Sequence, residues 1–117
     1  MVTIPEVLQN QMQEIRRGAI VLAALSTLKR RHYGYALVQE LQSKGIGVEP
    51  GTLYPLLRRL ESQELLISTW NTEDSRPRKY YQLSPTGEVA LKALTREWME
   101  LNNNITNIIE GNKDGSK

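Results

Sequence analysis

The groups in this chain best placed to do chemistry are hydrogen-bonding rather than covalent ones, and they fall within Pro50-Gly51-Thr52-Leu53-Tyr54-Pro55-Leu56-Leu57-Arg58-Arg59-Leu60-Glu61. Wound as a helix at about 100° per residue, this stretch gathers Leu53, Leu57 and Leu60 on one side with Leu56 beside them. Gly51, Pro55 and Arg58 then turn the opposite way, flanked by Tyr54 and Arg59. One face is suited to packing and the other to reading nucleic acid, since arginine spans the acceptors of a guanine edge and hydroxyls donate to phosphate. A proline is tolerated among the first positions of a helix, where its missing N–H is unpaired anyway, so Pro55 predicts a start near Thr52. The orphan N–H groups of that start, with Thr52 and Tyr54, would face a phosphate, and Arg58 one turn later would reach a base edge.

Covalent chemistry has no comparable support. The 117 residues include no cysteine and one histidine, which excludes disulfides, thiolate ligands, a histidine cluster for metal and an ordinary catalytic triad. Neither a glycine-rich phosphate loop nor a carboxylate pair in an evident cleft is present, so an enzyme is the poorest reading, and no metal or cofactor is expected. His32 sits in a basic connector and is expected to be solvated, without a role. Residues Met1 to Asn10 lack a secretory pattern, and the longest apolar run, Ala19 to Leu25, is too short to cross a bilayer. A soluble cytoplasmic protein with no membrane partner is expected.

The net charge of +2 says little about partners, but its distribution says more. Residues 1–83 carry eleven basic and eight acidic side chains, and residues 84–117 carry four and five. The basic residues cluster as Arg16-Arg17, Lys29-Arg30-Arg31, Arg58-Arg59 and Arg76-Pro77-Arg78-Lys79, and convergence of these clusters would make a nucleic-acid surface.

Such a surface needs elements to position it. A first helical pattern runs from Pro5 to Leu28 with a core-forming centre, and Gly18 is expected to break it into a short arm and a buried helix. Lys29 to Tyr33 reads as a polar connector, and Tyr35 to Lys44 as a second helix with Gly45 past its end. With a turn bearing Gly45 and Gly47, and the helix described above, this is a helix-turn-helix arrangement. Leu65 to Trp70 and Lys79 to Leu83 are rich in β-branched or aromatic residues and predict a hairpin joined by residues 71–78, a wing. Arg76, Arg78 and Lys79 at its tip would touch phosphate or a minor groove, and one of Tyr80 and Tyr81 should be buried.

Ser84-Pro85 starts the last helix, serine as cap and proline in the first turn. Leu91, Leu94, Trp98, Leu101, Ile105 and Ile108 then follow the 3-4-3-4-3 spacing of a coiled-coil seam. Running to about Glu110, roughly 40 Å at 1.5 Å per residue, this helix outreaches a small winged domain and implies a partner copy. The expected fold is mainly α with a small β-hairpin. Residues 1–83 form a winged helix-turn-helix domain with an N-terminal arm, 84–110 a C-terminal dimerisation helix, and 111–117 a disordered tail.

Gly34-Tyr35, the Pro50 to Glu61 block and Arg76-Pro77-Arg78-Lys79-Tyr80-Tyr81-Gln82-Leu83-Ser84-Pro85-Thr86-Gly87 closely resemble the PadR family of transcriptional regulators, in its short form with one C-terminal helix. The resemblance implies a homodimeric repressor whose winged helices bind an inverted-repeat operator in double-stranded DNA and which is released by a small aromatic effector, of phenolic or multidrug type. It implies DNA contacts from Tyr35, Thr52, Tyr54 and Arg58, with the Arg76 to Lys79 wing beside them; Pro55 and Arg59 lie on the same helix face. Family wings commonly carry a glycine before the Arg-Pro or Arg-Lys block, whereas this chain has Asp74-Ser75-Arg76, and the acidic pair Glu73-Asp74 opposes close approach to phosphate.

In multidrug-sensing relatives a tryptophan of the last helix lines a flat apolar pore at the dimer centre, and Trp98, with Leu94 and Leu101 around it, resembles that arrangement. Two readings stay open: interface packing explains Trp98 without a ligand, and a planar aromatic molecule stacked between two copies explains it with one. At the level of function the alternative to a DNA-binding repressor is a winged-helix module that dimerises and binds protein.

Overall fold

The computed structural model describes residues 3–73 and 75–111. Asp74 and the expected disordered tail beyond Gly111 lie outside the described residues. The chain runs α1 (Ile4–Thr27), β1 (His32–Tyr33), α2 (Gly34–Ser43), α3 (Pro50–Ser62), β2 (Leu66–Asn71), β3 (Arg78–Leu83) and α4 (Pro85–Ile109). The three strands make one antiparallel sheet in the order β1-β3-β2. This is a winged helix-turn-helix, mainly α as expected, with a third strand that the sequence did not announce.

Three boundaries differ from expectation, each for a local reason. α1 passes through Gly18 without a break; a solvated glycine costs a helix only about 1 kcal/mol, too little to divide a helix with a Thr3 capping box and a buried C-terminal half. The segment read as a connector contains β1, which is two residues long and pairs His32 with Tyr81 and Tyr33 with Tyr80. A strand this short has no period to detect. α3 starts at Pro50 rather than near Thr52, so Pro55 lies inside the helix and deprives the Gly51 carbonyl of its usual donor. Both residues face solvent, which leaves that carbonyl open to hydration.

The core is built from the leucine side of each helix: Leu25 and Leu28 of the α1 end, Leu37, Val38 and Leu41 of α2, and Leu53, Leu56, Leu57 and Leu60 of α3. Leu66, Tyr81 and Leu83 close it from one face of the sheet, and Leu91 from α4. Burial of each such leucine is worth about 1.5–3 kcal/mol, which makes the apolar stripe of α3 the main anchor of the outward face opposite it.

α2 and α3 end alike. Ile46 N–H donates to Leu41 O at 2.8 Å and Gly45 N–H to Gln42 O at 3.1 Å, with Gly45 at φ +89°. Leu65 N–H donates to Leu60 O at 3.0 Å and Glu64 N–H to Glu61 O at 2.9 Å, with Glu64 at φ +66°. Both are left-handed caps; glycine occupies the first without strain, and a side chain pays for the second. Ser84 then joins wing to last helix as expected of a cap: its hydroxyl donates to Glu64 O at 2.7 Å and accepts from Gly87 N–H at 2.8 Å.

Candidate nucleic-acid interface

With its leucines in the core, α3 turns Gly51, Thr52, Pro55, Arg58 and Arg59 to solvent. Neither arginine forms an ion pair among the described residues, so both guanidinium groups are available to an external acceptor. Gly51 and Pro55 leave the middle of this face low, which lets a nucleic-acid backbone approach the helix closely. The N-terminus itself differs from expectation. Pro50 has no N–H, and Thr52 and Leu53 both donate to Glu49 O at 2.9 Å, so most donors expected for a phosphate are spent inside the first turn.

Tyr54 is half-buried and packs against the core rather than standing free. Its ring fills the space beside Gly34, the first residue of α2, where a Cβ would overlap Tyr54 Cε1. The next residue, Tyr35, is 59% exposed on the first turn of α2. The turn between the helices is tied from two sides: Gln42 Nε2 donates to Val48 O at 3.0 Å, and the Arg16 guanidinium of α1 donates to Gly47 O. Arg16, read from sequence only as part of a basic pair, thus joins α1 to the helix-turn-helix.

The wing cations divide. Arg76 is exposed in the loop between β2 and β3. Arg78 is exposed as well, but its guanidinium lies 4.2 Å over the Tyr33 ring, which stacks on Tyr80 with centroids 4.1 Å apart and planes 14° from parallel. Arg31 lies 4.5 Å over Tyr80, and Asn71 Nδ2 donates to Tyr33 Oη at 2.7 Å. Hydrogen bonding with Tyr33, then desolvation, holds the Tyr80 phenol above its usual range, so it stays neutral. This stack belongs to the outer face of the sheet, and β1 supplies half of it.

Lys79 turns inward rather than out from the wing tip. It shares the inward face with Tyr81, and its Nζ lies 3.4 Å from Glu61 Oε1 at the last turn of α3. Strand parity carried this signal: if Tyr81 is buried, the residue two positions earlier faces the same way. Tyr81 is buried, as one of the tyrosine pair was expected to be, and Tyr80 is only partly exposed because of its stack. His32 is not solvated either. Nδ1 lies 2.8 Å from Arg30 O and Nε2 2.8 Å from Glu40 Oε1, and Lys44 Nζ reaches the other Glu40 oxygen at 2.9 Å.

On α4 the residues expected to form a seam divide by burial. Leu91 is 5% exposed because it closes the core of the chain itself. Leu94, Trp98, Leu101, Ile105 and Ile108 remain exposed, Trp98 at 43%, with Ile4, Val7, Leu8, Met12 and Ile15 exposed on α1. Among the described residues no group of histidine, cysteine or carboxylate side chains could hold a metal ion, and no helix is long and apolar enough to cross a membrane.

A family model described as the transcriptional regulator PadR-like family matches residues 21–93, which run from the buried half of α1 through the wing into α4. A transcriptional regulator of Mycobacterium tuberculosis, Rv3488, is 41% identical over 91 residues, covering 77% of this chain and 85% of that protein. A PadR family transcriptional regulator from Eggerthella lenta superposes with a TM-score of 0.84 at 42% identity, covering 91% of this chain and 95% of that one. A PadR-like transcription factor from Bacteroides fragilis gives 0.72 at 36% identity, with coverage of 85% and 98%.

Proposed function

Given that the chain belongs to the PadR-like family of transcriptional regulators, we propose that it is a homodimeric repressor that binds an inverted-repeat operator in the cytoplasm and is released by a planar aromatic effector. The observation that carries the DNA-reading part is the face of α3: Thr52, Arg58 and Arg59 stand exposed around a low centre at Gly51 and Pro55, fixed from behind by four buried leucines. Arg58 reads a base edge, Arg59 and Thr52 hold phosphate, and Tyr35 and Arg76 extend the contact to either side. Tyr54 acts from its slot beside Gly34, and Arg78 from its place on the aromatic stack.

Dimerisation is supported by the apolar stripe from Leu94 to Ile108, which the protomer leaves uncovered. A two-fold axis along it sets two recognition helices roughly 34 Å apart, one turn of B-DNA, so that they enter successive major grooves. Trp98 faces its own copy across that axis, and a flat apolar ligand between the rings changes the separation. It weakens DNA binding tenfold if it prefers the non-binding arrangement by about 1.4 kcal/mol.

The test is selection of duplexes from a random pool, followed by titration of the selected duplex and a scrambled one at several salt concentrations. Enrichment of a two-fold symmetric sequence, bound by two protomers with a steep salt dependence, is the expected result. Failure to enrich any sequence would overturn the repressor reading in favour of a winged-helix module that binds protein.

A further inference from the structure

Along the inward face of the β2–β3 hairpin, burial runs out before the wing loop begins. Leu66 and its partner Leu83 are buried in the core; the next pair, Ser68 and Tyr81, is half core; the pair after that, Trp70 and Lys79, is beyond it, with Trp70 61% exposed. On the outer face the Tyr33–Tyr80 stack and the Asn71–Tyr33 hydrogen bond tie the hairpin to β1, but on the inward face no apolar contact ties its outer part to α3. Where the core ends, one carboxylate takes over. Glu61 Oε2 accepts from the Ser68 hydroxyl of β2, and Oε1 lies 3.4 Å from Lys79 Nζ of β3, so that one side chain of α3 holds both strands. The Lys79 ammonium is kept in place by the rings it spans, 5.4 Å from the Tyr81 centroid and 5.9 Å from Trp70.

We propose that Glu61 is a positioning residue for DNA recognition: it fixes the wing relative to the recognition helix, so that Arg76 and Arg58 meet one duplex at the same time. Glu61 lies one helical turn beyond Arg58 on α3, and Lys79 is next but one to the wing loop on β3. A wing free to swing would pay for its ordering on each binding event, and a wing already set does not. The tie also explains an acidic residue on a helix that faces DNA. Paired with Lys79, Glu61 does not repel phosphate, and Lys79 is withdrawn from non-specific contact.

The inference rests on the DNA-binding reading, and it makes a prediction opposite in sign to simple electrostatics. Removing a carboxylate near DNA should strengthen binding to all duplexes, whereas removing a positioning tie should weaken binding to the right one. Four proteins are compared on a duplex selected from a random pool by the wild type and on a scrambled duplex: wild type, Glu61→Gln, Lys79→Met and the double variant. Glu61→Gln is expected to lower the preference for the selected duplex by about threefold to tenfold, the range for a charged tie at a partly exposed site. Binding to the scrambled duplex should hold or tighten. Lys79→Met should lower the preference similarly, and the double variant no further, because both act through one contact.

Equal tightening of both duplexes by Glu61→Gln, or losses that simply add in the double variant, would overturn the positioning role. Should Glu61→Gln fail to fold, as judged by circular dichroism, Ser68→Ala removes one arm of the tie without changing charge and carries the same expectation. A wild-type protein with no preference for any duplex would overturn the DNA-binding reading and this inference with it. A wild type that discriminates beside a Glu61→Gln that discriminates equally well overturns this inference alone.

Discussion

Tyr54 lays its ring in the space that a side chain at residue 34 would fill: a Cβ on Gly34 would overlap Tyr54 Cε1 and stand 3.3 Å from Cδ1. Two positions that read in the sequence as separate marks, a glycine before Tyr35 and a tyrosine in the recognition helix, are one contact that sets the spacing of α2 and α3. Gly34→Ala opposes two effects. Alanine in a helix gains up to about 1 kcal/mol over glycine, and overpacking against the half-buried Tyr54 ring costs about 1–3 kcal/mol. The clash wins, and the variant should melt several degrees lower in a calorimetric scan, with the loss reduced when Tyr54 is shortened to leucine.

Glu64 offers the reverse case. It holds φ +66° at the end of α3, in a cap where Gly45 serves the same purpose for α2. Glu64→Gly should stabilise the protein by about 0.5–1 kcal/mol, since release of the left-handed strain exceeds the added freedom of the unfolded chain. Denaturant midpoints measured beside Gly45→Ala, which should shift the opposite way, check the sign.

The recognition helix, the wing strands and the last helix were legible because each depends on a pattern that burial imposes locally: leucines at helical spacing, β-branched and aromatic runs, and Ser84-Pro85 as a start. β1 was not legible, since two residues carry no period and are a strand only because β3 lies beside them. The start of α3 is not legible from Pro55, because a proline is also accommodated inside a helix where its missing bond faces solvent. The cations of Arg76 to Lys79 looked equivalent in sequence. Their division into an exposed Arg76, an Arg78 laid over Tyr33 and an inward Lys79 depends on strand parity and on Glu61, which lies eighteen residues from Lys79 along the chain. Leu91 fits the heptad but is taken by the protomer core, a competition that spacing alone does not reveal.

The exposed stripe of α4 makes the oligomer testable. Leu101→Glu or Ile105→Glu places a charge in the proposed seam and should yield monomers in sedimentation at concentrations where wild type is dimeric, with the winged domain still folded. Trp98→Ala should weaken the dimer by about 2 kcal/mol or more, roughly thirtyfold in Kd, as expected for a central aromatic anchor.

Hydrogen bonds from Lys44 and then His32 hold the Glu40 carboxyl below its ordinary value of 4.5. A carboxylate whose pKa is depressed by folding contributes stability that is fully present above the unfolded value and lost as pH falls through the folded one. The difference in melting temperature between wild type and Glu40→Gln should therefore shrink as the pH is taken below 4.5. A difference that persisted unchanged into strong acid would mean that the carboxylate charge is not what matters.

The most direct measurement is the affinity of wild type and Arg58→Ala for the selected and the scrambled duplex at one salt concentration. If the outward face of α3 reads sequence, Arg58→Ala loses about 1–3 kcal/mol on the selected duplex, roughly 5- to 150-fold, and far less on the scrambled one. Equal weakening on both duplexes would reduce Arg58 to a phosphate contact and contradict base reading by this helix.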